Sequence, residues 1–133
     1  MSGIEALIRA AAAARDNAYA PYSRFKVGAA IRAADGRIFV GANVENASYP
    51  AGLCAEAAAL AAMIAAGARR VAELAIVAES AAPVPPCGLC RQRLAEFAGP
   101  EAEVHLGTTA GLRQTVRLGE LLPLAFGAAH LPP

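Results

Sequence analysis

The apolar positions along the chain change their spacing from segment to segment, and each spacing predicts an element. Between residues 4 and 19, apolar side chains recur at helical spacing, which predicts a helix that Pro21 would end. Residues 25–33 and 37–41 are apolar and lie on either side of Asp35 and Gly36, a pattern typical of a β-hairpin. The polar residues 43–52 are predicted to form a loop.

The second half of the chain alternates between helical and strand patterns. The predicted elements are a helix from near Cys54 to Gly67, a strand at 74–78, a helix at 88–97, strands at 104–106 and 114–117, and a helical turn at 118–122. This order predicts an α/β fold, a three-layer α/β/α sandwich in which a mixed five-stranded sheet carries helices on both faces. We expect residues 1–133 to form a single domain.

Composition and charge narrow the classes of function. The 12 basic and 11 acidic residues nearly cancel, so the chain offers no electrostatic reason to bind nucleic acid or an anionic membrane. The longest apolar run, residues 57–66, is about half of what a membrane-spanning helix needs, and we see no secretory leader. The low cysteine content is typical of a reducing compartment, and we expect a cytoplasmic protein.

The three cysteines lie in two short motifs, CAE at residues 54–56 and PCGLC at residues 86–90. The spacing of Cys87 and Cys90 lets two thiolates bind one ion from the first turn of a helix. Cys54 adds a third ligand, and three protein ligands leave one position of a tetrahedral zinc ion open for catalysis. Glu56 beside that position is placed to move protons for a zinc-bound water. A glutamate followed by P-C-x-x-C is the motif of zinc deaminases that act on nucleobases.

Each part of this pattern has another interpretation when it is taken alone. A single cysteine in an alanine-rich segment, such as Cys54, is more often a small buried hydrophobe. A C-x-x-C pair is also found in redox-active proteins and in zinc knuckles. Three cysteines cannot all pair within one chain, so the combination with Glu56 favours a catalytic zinc site over a disulfide framework. Neither His105 nor His130 is at ligand spacing from a cysteine, and we expect neither to bind the metal.

Beyond the cysteine motifs, four stretches in the same order resemble the small homotetrameric cytidine deaminases of pyrimidine salvage. They are AYAPYSRFKVGAA at residues 18–30, GANVENASY at 41–49, PCGLCRQ at 86–92 and LLPLAF at 121–126. The resemblance extends nearly from end to end and implies one zinc ion per subunit, held by Cys54, Cys87 and Cys90, with Glu56 as the proton shuttle. It also implies a homotetramer whose active sites are shared between subunits.

The resemblance further implies a set of substrate-binding residues. They are Phe25 against the nucleoside, Asn43 and Glu45 on the ribose, the Ala55 backbone at the pyrimidine, Ala47 and Tyr49 from a neighbouring subunit, and Phe126 stacked on the base from another subunit. Asn43 could instead be a turn residue, and Phe25 could belong to the core because it alternates with Val27. Glu45 could be a solvated loop carboxylate. If Glu45 binds the ribose, its carboxylate would accept a hydrogen bond from a ribose hydroxyl and would repel a phosphate at the same position. This favours a free nucleoside as the substrate.

The implied activity is hydrolysis of cytidine and deoxycytidine to uridine and deoxyuridine with release of ammonia, by attack of zinc-activated hydroxide on C4. An aminohydrolase for another aminopyrimidine nucleoside, such as a blasticidin-type antibiotic or a modified cytidine, remains an alternative, as does a non-catalytic zinc-binding assembly protein. One position departs from the family pattern. The Cys-ligated members commonly have an arginine after the catalytic glutamate, and this chain has Ala57. Helix N-termini or Arg91 could offset the thiolate charge instead.

Overall fold

The computed structural model describes residues 2–133, in which five strands alternate with four α-helices. In chain order they are α1 (Gly3–Arg15), β1 (Val27–Ala33), β2 (Ile38–Ala42), α2 (Ala55–Ala65), β3 (Val71–Ala78), α3 (Gly88–Phe97), β4 (Glu103–Thr108), β5 (Gly111–Arg117) and α4 (Leu118–Leu121). Short 3₁₀ turns lie at Tyr49–Ala51 and Ala128–His130.

The five strands form one mixed sheet in the order β2-β1-β3-β4-β5. β3 and β4 run parallel and are connected through α3, while the other neighbouring pairs are antiparallel. β1 and β2 form the predicted hairpin, and Gly36 in its turn has a φ of 93°, a conformation that glycine adopts without steric cost. The predicted mixed five-stranded sheet is confirmed.

The two faces of the sheet bury different helices. On one face, Leu7, Ile8 and Ala11 of α1 pack with Ala30, Ala75 and Val77. On the other face, α2 and α3 contribute Ala59, Leu60, Met63 and Leu94 to a larger cluster with Ile31, Leu74, Ile76, Val104 and Leu106. Successive side chains of a strand point to opposite faces, so β1, β3 and β4 supply both layers. The predicted three-layer α/β/α sandwich is therefore confirmed.

The first helix ends earlier than its apolar pattern predicts. Ser2 caps its start by accepting a hydrogen bond from the Glu5 amide at 3.1 Å, and the helix stops at Arg15 rather than near residue 19. The reason is long-range pairing, because the Tyr19 amide donates to the Asn43 carbonyl at 2.9 Å and the Tyr19 carbonyl accepts from the Glu45 amide at 2.8 Å. Through these bonds Tyr19 pairs with the loop at residues 43–45 and does not continue the helix.

The strand predicted from residue 25 begins at Val27 instead. Arg24 has a φ of 59°, a left-handed conformation that interrupts an extended strand. Phe25 consequently lies outside the sheet and is 40% exposed, so it does not belong to the core.

Gly41 determines how closely α2 approaches the sheet. A Cβ at this position of β2 would overlap the backbone of Ala55 and Ala59 on α2. The absence of a side chain therefore lets the first turn of α2, which carries the CAE motif, lie directly against the hairpin.

Among residues 2–133, no helix is both long enough and apolar enough to cross a membrane.

Candidate active site

Three sulfur atoms meet where α2 and α3 begin. The Sγ atoms of Cys54, Cys87 and Cys90 all lie within 4.8 Å of one another. Tetrahedral zinc with thiolate ligands needs sulfur atoms about 3.8 Å apart, given its bond length of about 2.3 Å. Among the described residues, this group includes no fourth histidine, cysteine or carboxylate ligand. The donor set therefore fits a zinc ion that keeps one position open for a reacting molecule.

Each helix contributes its first turn to this cluster. Cys54 is the N-cap of α2 and Cys87 is the N-cap of α3, while Cys90 lies in the first turn of α3 and is fully buried. The backbone N–H groups of Cys90 and Leu89 lower the pKa of the Cys87 thiol. Burial raises the pKa of Cys54 and of Cys90, and the negative charge of Glu56 adds to the rise in both. The start of α3 therefore favours the thiolate form of Cys87. Cys54 and Cys90 need a nearby cation to stabilise the negative charge of their thiolate forms.

Glu56 is a buried carboxyl group on the first turn of α2. It is 5% exposed and lines a cavity of about 390 Å³ together with Cys54 and Cys87. Burial raises the pKa of Glu56, against the lowering effects of its own backbone N–H and of the positive charge of Arg93. A buried carboxyl group facing a cavity is suited to accept and return a proton.

The same cavity brings together most of the residues that the sequence predicts to bind substrate. Its lining includes Phe25, Asn43, Glu45, Tyr49 and Ala55. A second cavity of about 380 Å³ adjoins it and shares Glu45 and Tyr49. Its lining also includes Tyr22 and Ser23, which sequence reasoning did not single out. The combined space has an apolar wall and a polar end, as expected for a small polar ligand.

Asn43 and Glu45 both make hydrogen bonds to the backbone around Phe25. The Asn43 amide accepts from the Val27 N–H at 2.8 Å and donates to the Phe25 carbonyl at 2.9 Å. One oxygen of Glu45 accepts from the amides of Tyr22 and Ser23, each at 3.0 Å, and the other accepts from the Ser23 hydroxyl. The Ser23 hydrogen bonds and the Tyr22 amide lower the pKa of Glu45, so it is an anion at neutral pH.

These contacts bear on the alternatives that the sequence left open. Asn43 bonds to the backbone at the start of β1 and just before it, not to its own turn, and Glu45 is bonded to the backbone of residues 22–23 and is not a free loop carboxylate. A carboxylate accepts about four hydrogen bonds and an amide group up to four, so each side chain retains capacity for a ligand.

Two predicted binding residues lie apart from this cavity. Ala47 is exposed in the loop and is not part of the lining, and Phe126 lies in the C-terminal segment with its ring stacked on His130 at 5.5 Å between centroids. The Gln92 amide donates to the Phe126 carbonyl at 2.9 Å and holds this segment against α3. Tyr49, which the resemblance implies would come from a neighbour, is 76% exposed and lines the cavity of its own chain.

The two histidines have other partners. Both ring nitrogens of His105 lie 2.9 Å from hydrogen-bond partners, Nδ1 from the Thr115 hydroxyl and Nε2 from Glu73. His105 is grouped in space with Glu73 and Glu103, but its nitrogens are already engaged within the sheet. The Nδ1 of His130 accepts from the Gly127 amide at 3.0 Å. We assign neither histidine to the cysteine site.

Two arginines follow Cys90 on α3 and have different roles. Arg91 donates to the Pro86 carbonyl at 2.7 Å and to the Leu121 carbonyl at 2.9 Å, so it braces the backbone before Cys87 and the end of α4. Arg93 donates from Nη1 to the Cys90 sulfur at 3.5 Å. From the sequence, Arg91 was the arginine expected to offset the thiolate charge, and Arg93 was not singled out. The available signal was its spacing, one helical turn after Cys90.

The sequence of the chain is similar to that of one enzyme family. Residues 1–106 match the family model described as the cytidine and deoxycytidylate deaminase zinc-binding region. The chain is 48% identical over 125 residues to the cytidine deaminase of Halalkalibacterium halodurans, covering 94% of this chain and 95% of that protein.

Solved structures agree with the sequence comparison. The crystal structure of cytidine deaminase from Burkholderia pseudomallei superposes with a TM-score of 0.87 at 50% identity, covering 95% of this chain and 100% of the other. The cytidine deaminase of Mycobacterium tuberculosis superposes with a TM-score of 0.81 at 43% identity, covering 96% and 99% of the two chains.

Proposed function

The chain belongs to the family of cytidine and deoxycytidylate deaminases, and on that premise we propose that it hydrolyses cytidine and deoxycytidine to uridine and deoxyuridine with release of ammonia. The observation that carries this proposal is a cluster of three thiols that lies beside a buried carboxyl group at the end of a ligand-sized cavity. Three soft ligands and a carboxyl group that is not part of the cluster suit a catalytic centre better than a closed structural one.

We assign Cys54, Cys87 and Cys90 as the ligands of one zinc ion per chain. The thiol donor set and the mutual distances of the sulfur atoms support this assignment. Zinc held there would supply Lewis-acid activation of water at neutral pH.

Glu56 is the proton shuttle in this proposal. It takes a proton from the attacking water and delivers it to N3 of the pyrimidine as the C4–O bond forms. It then passes the second proton of the water to the amino group, and the C4–N bond breaks to release ammonia. Its burial beside the cavity supports the role, because a carboxyl group with a raised pKa can act as base and then as acid.

The nucleoside occupies the cavity with its sugar toward Asn43 and Glu45. Phe25 packs against the nucleoside, and the backbone of Ala55, at the start of α2, contacts the pyrimidine. The negative charge of Glu45 favours a free ribose hydroxyl over a phosphate at that end. A free nucleoside is therefore preferred over a nucleotide or a polynucleotide.

The complete site includes neighbouring copies of the chain in a homotetramer. Phe126 from one neighbour stacks on the base, and Ala47 and Tyr49 contribute to the ribose side of another subunit's site. The exposure of Tyr49 at 76%, Phe126 at 57% and Leu124 at 105% supports contacts with further copies, because large apolar side chains left exposed on one chain are typical of such interfaces. A cytoplasmic location is part of the same proposal.

The proposal is tested by adding cytidine to the zinc-loaded protein and following the loss of ultraviolet absorbance. The Glu56→Gln variant keeps the shape of the side chain but cannot shuttle protons. We expect it to retain zinc and to lose activity by at least about 10²-fold. The control is Glu101→Gln, which removes an exposed carboxylate from the turn before β4 and should leave the rate unchanged. If the zinc-loaded wild-type protein leaves cytidine intact, cytidine is not the substrate. If Glu56→Gln keeps full activity, Glu56 is not the proton shuttle.

A further inference from the structure

Arg93 is the cationic side chain that touches the cysteine cluster. Its Nη1 atom donates to the Cys90 sulfur at 3.5 Å, a contact made between successive turns of α3. Cys90 is fully buried, so water does not reach its sulfur. A buried thiolate needs hydrogen-bond donors or cations around it, because its charge is poorly solvated.

The charge at this site is unbalanced without such a cation. Three thiolates on one divalent ion leave a net charge of −1, and Glu56 lies beside them. The position after Glu56 is Ala57, which supplies no charge. The Arg91 guanidinium donates to the Pro86 and Leu121 carbonyls, whereas the Arg93 guanidinium donates to a sulfur atom of the cluster.

Arg93 is free of competing carboxylates. Within residues 2–133, the ion pairs involve Arg32, Arg37 and His105, and none of them includes Arg93. The three sulfur atoms lie within 4.8 Å of one another, so a positive charge in contact with Cys90 is close to the whole cysteine cluster.

Ala57 and Arg93 face each other across one groove. This groove between α2 and α3 has a volume of about 720 Å³ and is lined by both residues together with Leu60, Ala61 and Leu89. Ala57 fills little of the groove, because its side chain is a single methyl group. A cationic side chain introduced at position 57 would therefore share this groove with Arg93.

We propose that Arg93 is a positioning residue of the zinc site, which orients the Cys90 thiolate by a hydrogen bond and offsets the negative charge of the three ligands. Arg93 thus supplies from α3 a positive charge that Ala57 on α2 does not supply. The inference rests on the proposed function, because it takes the three cysteines to be zinc ligands.

The test measures the affinity for zinc by competition with a chromophoric chelator, a readout that does not depend on turnover. Arg93→Gln keeps most of the side chain and removes the charge, and we expect it to bind zinc roughly tenfold more weakly, as residues that support metal ligands typically do. Arg93→Lys keeps the charge and should lose less. The matched control is Arg9→Gln, which removes the same charge from an exposed position on α1, across the sheet from the site, and should bind zinc like wild type.

A second variant moves the charge to the opposite wall of the groove. Ala57→Arg combined with Arg93→Gln should recover most of the lost affinity if charge compensation is the role of Arg93. Unchanged affinity in Arg93→Gln would overturn the proposal. A loss in Arg93→Lys as large as in Arg93→Gln, or no recovery in the double variant, would overturn the role of the charge.

The two proposals fail in different ways. If the wild-type protein binds no zinc or leaves cytidine unchanged, the proposed function fails. If wild type deaminates cytidine with zinc bound while Arg93→Gln retains the same zinc affinity, the assignment of Arg93 fails alone.

Discussion

Glu45 shows how one side chain can shape a binding site through the backbone. Its two oxygens accept three hydrogen bonds from Tyr22 and Ser23, and the Ser23 hydroxyl in turn accepts from the Phe25 amide at 3.0 Å. Phe25 directly follows Arg24, which has a left-handed backbone conformation, and precedes the first residue of β1. Hydrogen bonds of the sheet therefore do not fix the position of its ring. Glu45 therefore positions the apolar wall of the cavity and, in the proposed complex, also binds the sugar.

Replacement of Glu45 by Gln tests this double role. The amide is uncharged and accepts at its oxygen only, so the bonds from residues 22–23 lose their charge assistance, the bond to the Ser23 hydroxyl must reverse, and the loop that carries Phe25 loosens. We expect the KM for cytidine to rise about tenfold, with a smaller change in kcat, because the affected contacts hold substrate and do not move protons.

Glu79→Gln is the matched control for this prediction. The Glu79 carboxylate also accepts a backbone hydrogen bond, from the Thr109 amide at 2.7 Å, and its pKa is likewise lowered, but it lies outside the two cavities. An equal rise in KM for both variants would mean that Glu45 has no special place in the site.

Four neighbouring strands are joined by a chain of polar side chains. Arg32 on β1 donates to Glu73 on β3 at 2.9 Å, Glu73 bonds to His105 on β4, and His105 bonds to Thr115 on β5. Arg32 and Glu73 are register partners, as are His105 and Thr115, so the pairing of the strands brings these groups together. The network satisfies a fully buried histidine and ties the parallel pair of strands to its antiparallel neighbours.

Glu73 makes the stability of the sheet depend on pH. Burial alone would raise the pKa of Glu73, but its bonds to His105 and Arg32 outweigh burial and hold the pKa below the ordinary value of 4.5. A carboxyl group with a lowered pKa in the folded state stabilises the protein above its unfolded pKa, and that contribution is lost as the pH falls through the folded value.

We therefore expect wild type to unfold at a higher temperature than Glu73→Gln at neutral pH, and the difference between them to shrink as the pH falls below 4.5. Thermal unfolding of both proteins without zinc, across the acid range, provides the measurement. A difference that stays constant with pH would show that the charge of Glu73 does not contribute.

The complete molecule brings together segments that are distant in the chain. The loop after β2 supplies Asn43 and Glu45, the start of α2 supplies Cys54 and Glu56, and the start of α3 supplies the other two cysteines. α2 and α3 lie on the same face of the sheet. After α2, strand β3 and the segment that follows it carry the chain back, so that α3 begins close to the start of α2. Phe126 is absent from the cavity of its own chain, which leaves it available to a neighbouring copy.

Mixing two impaired variants tests whether sites are shared. Phe126→Ala should lower kcat/KM by about tenfold or more, since stacking of a base on an aromatic ring contributes roughly 1–3 kcal/mol. We expect Glu56→Gln to be inactive for a different reason, the loss of the proposed proton shuttle. If sites are shared as proposed, some mixed oligomers formed on co-expression of the two variants would contain a site with Glu56 from one chain and Phe126 from another.

We expect such mixtures to recover about a quarter of the wild-type activity, because random assembly gives both intact residues to about one site in four. The control is a mixture of the two proteins after separate purification, without exchange of subunits. Activity equal to the sum of the separate variants would contradict a shared site.

The proposed zinc ligands, the proposed proton shuttle and most element identities can be predicted from the sequence, because they depend on local spacing. Cys87 and Cys90 are one helical turn apart, Glu56 follows Cys54 by two residues, and α3 spans the predicted residues 88–97. These relations hold within a few residues of chain, where helical or extended geometry alone sets the distances.

Other features required the folded chain, because they depend on contacts between distant segments. The pairing of Tyr19 with the 43–45 loop ends α1 early, and the bonds of Glu45 to residues 22–23 create a wall that no local pattern predicts. The groove that pairs Ala57 with Arg93 exists only because α2 and α3 pack side by side on one face of the sheet. Spacing along the chain thus predicts which groups are candidates for the chemistry, whereas contacts between distant segments determine which neighbours lie beside them.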